Sequence, residues 1–549
     1  MSTGTAKKPL GELLKEKGLI TEGHIDLALQ DQAITKERVG EILERLGFVS
    51  QFDVATTLAE QGGRAYIDVE QVIPAEATLR LFNMNLCLTH HFLPIQHGDG
   101  KVRVASAAED VETLENLLSR QTGLQPEIFQ GERGKIHNAA QHYYYFLENP
   151  VEKLLKREID ILAADTDDVR SVDQLITHIL QLAVKHRASD VHIRPMDRAI
   201  NVAFRVDGVL HPMFSLPPAL RRVVTTLKMR SDMDIAEQRL PQDGSFSATI
   251  LNNIYDFRVS TVVCPYGENM VLRLLPMKSD FMGLRQLGFF DEDRELLRRI
   301  FNEPFGMVLL TGPTGSGKTT TLYAAVRALD LIEKHILTVE NPIEYRIPLV
   351  RQTQINVKAG YTFANAIRYF LRHDPDVILV GEIRDQETAQ TAISASETGH
   401  LVLSTLHSNT AFGAIPRLRS LGVPPFMLAE SLVGVVSQRL VRRICPHCKE
   451  EYAPDDEERE YLEMPDLEVL SRGRGCDFCS HTGYYGRTLA YEILRPNEEL
   501  VARIGRDESL EQLVSTAKAM GFRDMVSTAR LKVQRGETSV KEMIRVMGR

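Results

Sequence analysis

The stretch Met307-Val308-Leu309-Leu310-Thr311-Gly312-Pro313-Thr314-Gly315-Ser316-Gly317-Lys318-Thr319-Thr320 decides the fold. A short apolar run reads as a buried strand, G-x-x-x-x-G-K-T follows it, and helix formers continue from Leu322 to Leu329. A phosphate-binding loop needs this order. Glycines let backbone N–H groups curl around phosphate oxygens, and the N-terminus of the helix adds the positive end of its dipole. Lys318 is placed to reach the β- and γ-phosphates, and Thr319 to put its hydroxyl on Mg²⁺. The expected ligand is ATP with Mg²⁺, bound by Gly312 through Thr320.

Working outward on the C-terminal side, three more apolar runs end in polar residues. Ile336 to Glu344 delivers Glu340 and Glu344, Asp374 to Asp385 delivers Glu382, and Thr398 to His407 is bracketed by His400 and His407. In an α/β sheet, ligands bind at the carboxyl ends of strands, so these groups read as a hydrolysis site beside the phosphate loop. Glu382 stands where an acid would order Mg²⁺ through water or polarise the attacking water. Glu340 competes for the role of base, and His400 and His407 are candidates to sense the γ-phosphate.

On the N-terminal side, residues 174–283 read as an α+β domain in which arginines recur at strand ends and turns: Arg205, Arg239, Arg258 and Arg273. Two readings stay open: surface salt bridges, or planar cations that reach phosphate across an interface. Further downstream, Cys445-Pro446-His447-Cys448 and Cys476-Asp477-Phe478-Cys479 are separated by 27 residues. Each C-x-x-C makes a tight knuckle, and two knuckles complete a closed, structural thiolate shell for Zn²⁺. Such an ion would pin the base of the acidic loop Asp455 to Glu468. Cys87 and Cys264 read as packing residues.

At 549 residues the chain is too long for one core. The remaining boundaries are a helical module at 1–64, a small α/β module at 65–147, a charge-rich flexible linker at 148–173, and 284–549 for the phosphate-loop domain with a C-terminal helical subdomain. A hydrophobic share of 43% with 25% charged residues is ordinary for a soluble protein. The formal net charge of −9 gives no overall footprint for nucleic acid, so none is expected as a partner. No apolar run approaches the ~18–20 residues of a membrane span, and Met1 to Lys8 lacks the apolar core of a signal peptide. Cytoplasmic residence is the expectation. Within the first module a 29-residue offset relates Gly11 to Gly40, Gly18 to Gly47 and Gln32 to Gln61. Each unit reads as a short helix stopped by glycine, then a second helix opened by Thr21 or Ser50.

That repeat resembles the tandem motif of N-terminal domains that bind cyclic di-GMP in some secretion and pilus ATPases, a motif that begins Arg-Leu-Gly and ends at Gln. The second copy keeps Arg38, Gly40 and Gln61. The first keeps Gly11 and Gln32 but carries Pro9 in place of the Arg, and proline can neither clasp a phosphate nor stack on guanine. The rest of the chain resembles the type II secretion and type IV pilus assembly ATPases. Their Walker A, Asp box, Walker B and His box match Gly312–Thr319, Ile336–Glu344, Leu371–Asp385 and Thr398–His407. One departure is Glu340-Asn341-Pro342, where that family reads Glu-Asp-Pro.

The resemblance implies a multidomain α/β protein with a RecA-like P-loop ATPase domain, preceded by a small PAS-like α+β domain that contributes arginines. It also implies a homo-hexamer working with an inner-membrane platform protein and membrane-anchored assembly proteins, peripheral to the membrane through them. The implied task is protein transport, by assembly of a type IV pilus or secretion pseudopilus. The four-cysteine element weighs against a pilus-retraction motor. Two other readings compete: a nucleic-acid-translocating motor with the same chemistry, and a nucleotide sensor with low ATPase activity.

Overall fold

The computed structural model describes residues 8–108, 110–164, 169–276 and 282–548. The chain divides into two compact units, Met1–Ser50 with Phe281–Arg549, and Gln51–Asp280. The division falls inside the second sequence repeat, not at residue 64 where the helical module was expected to end.

The repeat itself is present in the helices. α1 (Leu10–Glu16) and α3 (Val39–Arg45) each carry the repeated glycine as their second residue, Gly11 and Gly40. α2 (Glu22–Thr35) and α4 (Gln51–Gly62) each carry the repeated glutamine, Gln32 and Gln61, as their eleventh. Pro9 and Arg38 occupy the same place, one residue before the first helix of each copy. After α1 and α3 the chain turns through Gly18 and Gly47 at φ 66° and 83°, a left-handed conformation that side chains disfavour.

In the Gln51–Asp280 unit, a small sheet of β1 (Phe92–Gly98), β2 (Lys101–Ser106) and β3 (Gln125–Gln130) is covered by α5 (Val111–Thr122) and α6 (Arg133–Glu148). Tyr144 on α6 is buried and its hydroxyl donates to the Leu79 carbonyl at 2.9 Å. The expected flexible linker at 148–173 is largely helix. α7 (Val151–Ala164) buries Val151, Leu155 and Leu162 against a core shared with α8 (Val169–Lys185). Those apolar positions have helical spacing, and the exposed Glu152, Lys153, Lys156, Arg157 and Asp160 make the solvated face; the acidic run at 165–168 lies outside the described residues.

The same core lies on one face of an antiparallel sheet. Its strands are β4 (Asp190–Pro195), β5 (Ile200–Val206), β6 (Val209–Leu216), β7 (Gln242–Ile250), β8 (Asn253–Cys264) and β9 (Gly267–Pro276), in the order β6-β5-β4-β9-β8-β7. α9 (Arg222–Arg230) packs into the core from the segment before β7. Alternation is clear in β8, where Phe257 and Val259 are buried and Arg258 and Ser260 are exposed, the pattern of a sheet with one solvated face.

The second unit is built on a seven-stranded sheet. After α10 (Asp291–Phe301), β10 (Gly306–Thr311) leads through the glycine-rich loop into α11 (Lys318–Arg327). β11 (Ile336–Glu340), β12 (Arg351–Gln354), α12 (Phe363–Phe370), β13 (Val377–Val380), α13 (Gln386–Glu397) and β14 (Leu401–Leu406) follow. The long β15 (Leu432–Ile444) and β18 (Tyr484–Leu494) complete an order of β12-β11-β13-β14-β10-β15-β18. Every pairing is parallel except β15 with β18. β10, β13 and β14 are buried at every position, as parallel strands covered on both faces must be.

Between β15 and β18 lie β16 (Lys449–Tyr452), α14 (Asp456–Leu462) and β17 (Leu470–Gly473). The acidic loop expected at Asp455–Glu468 is thus half helix. Asp455 caps it in a reciprocal capping box with Glu458, and Leu462 is buried in a core with Leu470 and Met525. α15 (Glu498–Gly505), α16 (Leu510–Ala519), α17 (Met525–Gln534) and α18 (Val540–Met547) close the chain. At the far end of α11, Arg327 donates to the Gly47 and Val49 carbonyls, each at 3.3 Å, and His24 Nε2 lies 3.5 Å from Asp330.

Candidate active site

Parallel register brings the sequence-predicted groups together. Thr311 pairs with Leu406 on one side and Ser437 on the other, and Val380 pairs with Val339 and Ser404. The glycine loop, His407, Glu382 and Glu340 therefore emerge from the same edge of the sheet. His400 does not join them. It precedes β14 while His407 follows it, and six strand residues separate the two by roughly 20 Å. Its ring instead bonds to the Ala395 carbonyl at 2.9 Å.

The glycine loop curls over its own carbonyls. Lys318 Nζ donates to the carbonyls of Gly312 at 2.8 Å and Pro313 at 3.0 Å. Burial holds its pKa below the ordinary lysine value, with Glu382 opposing. Gly312 is required for close approach: a Cβ there would lie 2.4 Å from the Gln438 carbonyl oxygen. Thr319 and Thr320 begin α11 part-exposed, while the hydroxyls of Thr311, Ser316 and Thr321 are buried without a hydrogen-bond partner.

Glu382 is mostly buried and pairs with Arg384 at 2.5 Å; His407 Nε2 is 3.9 Å from the same carboxylate oxygen. Burial and the Lys318 charge hold the His407 pKa below the ordinary histidine value, against the pull of Glu382. That shift favours the neutral imidazole, in which one ring nitrogen donates and the other accepts. Asp385 turns away to cap α13, accepting from Thr388 N–H at 2.8 Å.

Glu340 is held differently. It is 3% exposed and accepts from Thr338 Oγ1 at 2.6 Å, Gln352 Nε2 at 3.1 Å and the Tyr323 hydroxyl. The same Tyr323 oxygen accepts from the backbone N–H of Glu344 at 3.3 Å, and Glu344 is an exposed residue.

Three of the four flagged arginines fall in one row. Asp190 pairs with Arg205 on β5 and with Arg273 on β9, and Arg273 pairs with Arg258 on β8. Residues in register share a face about 4.8 Å apart, so the solvated side of the sheet carries Arg205, Asp190, Arg273 and Arg258 side by side. Arg273 Nε donates to buried Asp190 at 2.9 Å, and Arg205 Nε lies 3.8 Å from its other oxygen. Arg239 stands apart, before β7, with its side chain 90% exposed. Sequence reasoning missed Asp190. The alternation Asp190-Val191-His192-Ile193-Arg194 was the available signal, since it puts three polar groups on the arginine face.

The four cysteines meet as spaced. All four Sγ atoms lie within 4.8 Å of one another, with Cys445–Cys476 at 3.8 Å, Cys448–Cys479 at 3.9 Å and Cys476–Cys479 at 3.8 Å. Tetrahedral Zn–S bonds of about 2.3 Å require S–S separations of about 3.8 Å, so the thiols fit that ion. Backbone N–H groups of Gly475, Cys476 and Gly483 already point at the sulfurs of Cys448 and Cys479, at 3.2–3.3 Å. Burial raises the Cys445 thiol. At Cys479 burial acts the same way, but the N–H donors outweigh it and the pKa falls. Cys87 is buried as expected, whereas Cys264 ends β8 only part-buried.

A glycine loop whose lysine faces an acid and a neutral histidine from neighbouring strands is the working end of a nucleotide-hydrolysing P-loop protein. Comparison with known proteins gives the family. A model described as type II/IV secretion system protein matches residues 165–545, and one described as MshEN domain matches residues 63–149, starting where the 29-residue repeat ends. The chain belongs to the type II/IV secretion system protein family and is an ATPase.

It is 44% identical over 389 residues to the type II secretion system protein E of Aeromonas hydrophila, covering 70% of this chain and 77% of that one. Similarity to the type II secretion system protein E of Xanthomonas campestris pv. campestris is 35% over 564 aligned positions, covering 100% and 99%. The type IV pilus assembly ATPase PilB of Thermus thermophilus is 35% identical, over 92% of this chain and 59% of its own. Among solved structures, the pilus retraction motor PilT with bound ADP is 28% identical at a TM-score of 0.45, covering 67% of this chain and 96% of that one. The structure of MshE with cdg is 26% identical at a TM-score of 0.23, covering 25% and 99%. At these scores neither likeness adds to the fold described above.

Proposed function

We propose that this ATPase is the motor that drives assembly of a type IV pilus or a type II secretion pseudopilus. One observation carries the reading: Lys318, Glu382 and His407 are gathered around an intact phosphate loop. The loop and Lys318 would hold the phosphates, and Thr319 would place Mg²⁺. Glu382 takes the acid role in preference to Glu340, because Glu340 is already satisfied by three internal donors while Glu382 faces Lys318 and His407. Mg²⁺ when bound would neutralise charge between the phosphates; the protein's own part is to orient the nucleotide and polarise water.

The arginine row of Arg205, Arg258 and Arg273 is proposed to act on phosphate once subunits assemble into a hexameric ring, with Arg239 the weaker candidate. The tetracysteine centre is proposed to hold Zn²⁺ as a structural ion. Among the described residues no helix is long and apolar enough to cross a membrane, so membrane attachment would run through an inner-membrane platform protein and anchored assembly proteins. Cyclic di-GMP is the proposed regulator, bound through the repeat with Arg38, Gly40 and Gln61, and more weakly through Gly11 and Gln32 beside Pro9.

The test is ATP hydrolysis by the full chain beside its Glu382→Gln variant, expected to fall by roughly 10²-fold. Normal turnover by that variant sinks the acid assignment. Calorimetric titration of the full chain with cyclic di-GMP tests the regulator, and absence of heat at micromolar protein removes it.

A further inference from the structure

β15 and β18 are joined at one end by the cysteine cluster. β15 runs directly into Cys445, and β18 begins at Tyr484, five residues beyond Cys479. The strands pair antiparallel from Ile444 with Tyr484 to Val435 with Leu494, forming a ribbon that extends into the main sheet. Its other end lies beside the phosphate loop, because Ser437 is in register with Thr311.

There, two consecutive residues address two different loops. Ser437 and Gln438 are both fully buried and, as neighbours on a strand, point to opposite faces. Gln438 Nε2 donates to the Ser316 carbonyl at 2.8 Å, inside the phosphate loop. Ser437 Oγ donates to the Asn409 carbonyl at 3.4 Å, in the loop that follows His407. Directly across the ribbon from Ser437 is Glu492, 4% exposed. One of its oxygens accepts from Ala411 N–H at 2.5 Å, in that same loop, and the other from Met525 N–H at 3.0 Å, at the start of α17.

We propose that Gln438 and Glu492 are positioning residues for hydrolysis, Gln438 setting the phosphate loop and Glu492 setting the loop that carries His407. The inference rests on the reading that Lys318 and His407 act on phosphate. Chemistry suits each side chain to its place. A neutral amide can grip the Ser316 carbonyl without adding negative charge beside the phosphates. A carboxylate presents one acceptor oxygen to each of the two backbone N–H groups, where a glutamine would present one oxygen and an NH₂ donor. A hydrogen bond lost at a buried site is worth about tenfold in an equilibrium or rate.

The test is steady-state ATPase kinetics on the full chain, with melting temperature and zinc content measured on each variant. Gln438→Leu keeps the volume and removes the donor; KM for ATP should rise about tenfold with kcat within about threefold. Glu492→Gln turns an NH₂ toward one of the two N–H donors; kcat should fall about tenfold with KM within about threefold. Ser437→Ala leaves both larger side chains in place and covers the case in which they misfold; kcat should fall about twofold. Unchanged kinetics in the folded variants, or losses in kcat and KM together that track melting temperature, would overturn the proposal. Lys318→Ala separates the two readings. If it hydrolyses ATP normally, the phosphate-site reading itself fails. If it is inactive while Gln438→Leu, Glu492→Gln and Ser437→Ala are all normal, only the positioning roles fail.

Discussion

Lys318 and Arg273 are both cations proposed for phosphate, and the protein stores them in opposite ways. Lys318 rests on two neutral carbonyls of the phosphate loop, and its own partial burial works against its charge. Arg273 rests on a buried carboxylate, Asp190, which Arg205 shares from the neighbouring strand. A carboxylate holds a cation more strongly than neutral carbonyls do, so a phosphate displaces the contacts of Lys318 more readily than those of Arg273. The lysine is poised to accept an anion; the arginines are held in reserve against one.

Four experiments break or sharpen that contrast. Lys318→Ala should reduce hydrolysis by about 10³-fold, because nothing else in the loop supplies a fixed charge to the phosphates. Arg273→Ala should reduce kcat by about 10²-fold in the assembled protein while nucleotide binding by the phosphate loop persists. A normal kcat in that variant returns the whole row to surface salt bridging. Asp190→Asn should cost about 2 kcal/mol of stability in the Gln51–Asp280 unit, read as a lower urea midpoint, because two guanidinium groups lose their shared counter-charge.

The smallest effect separates the units by pH. Burial pushes His142 down to about 4, and it also lowers His178, His186 and His192, all in the Gln51–Asp280 unit. Each native histidine stays neutral below the pH at which the unfolded chain takes up a proton. Stability therefore falls as pH drops below about 6.5, and for His142 it stops falling only near its native value. By about pH 5.5 His142 alone should account for about 1 kcal/mol. Hydrogen exchange at pH 7 and at that pH should show protection lost first in β4–β9; earlier loss in β10 and β14 would contradict this.

The phosphate loop was legible because its chemistry is contiguous: Gly312 to Thr319 are neighbours in the chain and in space. The cysteines were legible because two fixed spacings prescribe two knuckles. Asp190 was not, since its partners Arg205 and Arg273 come from adjacent strands, and lateral register is not written along any one strand. Gln438 and Glu492 escaped for the same reason. Strand direction was available but unused for His400: the six strand residues between it and His407 already placed the two at opposite ends. At 148–173 the dense charge concealed Val151, Leu155 and Leu162, whose helical spacing was enough to bury that face.

One helix has two addresses. α11 begins at Lys318 under the phosphate loop and ends at Arg327, on the carbonyls beside the Gly47 turn of the repeat. Its ten residues make a rod about 15 Å long, with no glycine or proline to bend it. Displacement at one end is displacement at the other. A ligand that favours one placement of this rod from the repeat changes the affinity for nucleotide by some factor, and nucleotide returns the same factor to that ligand. If the proposed ligand occupies the repeat, its occupancy and that of the nucleotide would form a single thermodynamic account, readable from either side.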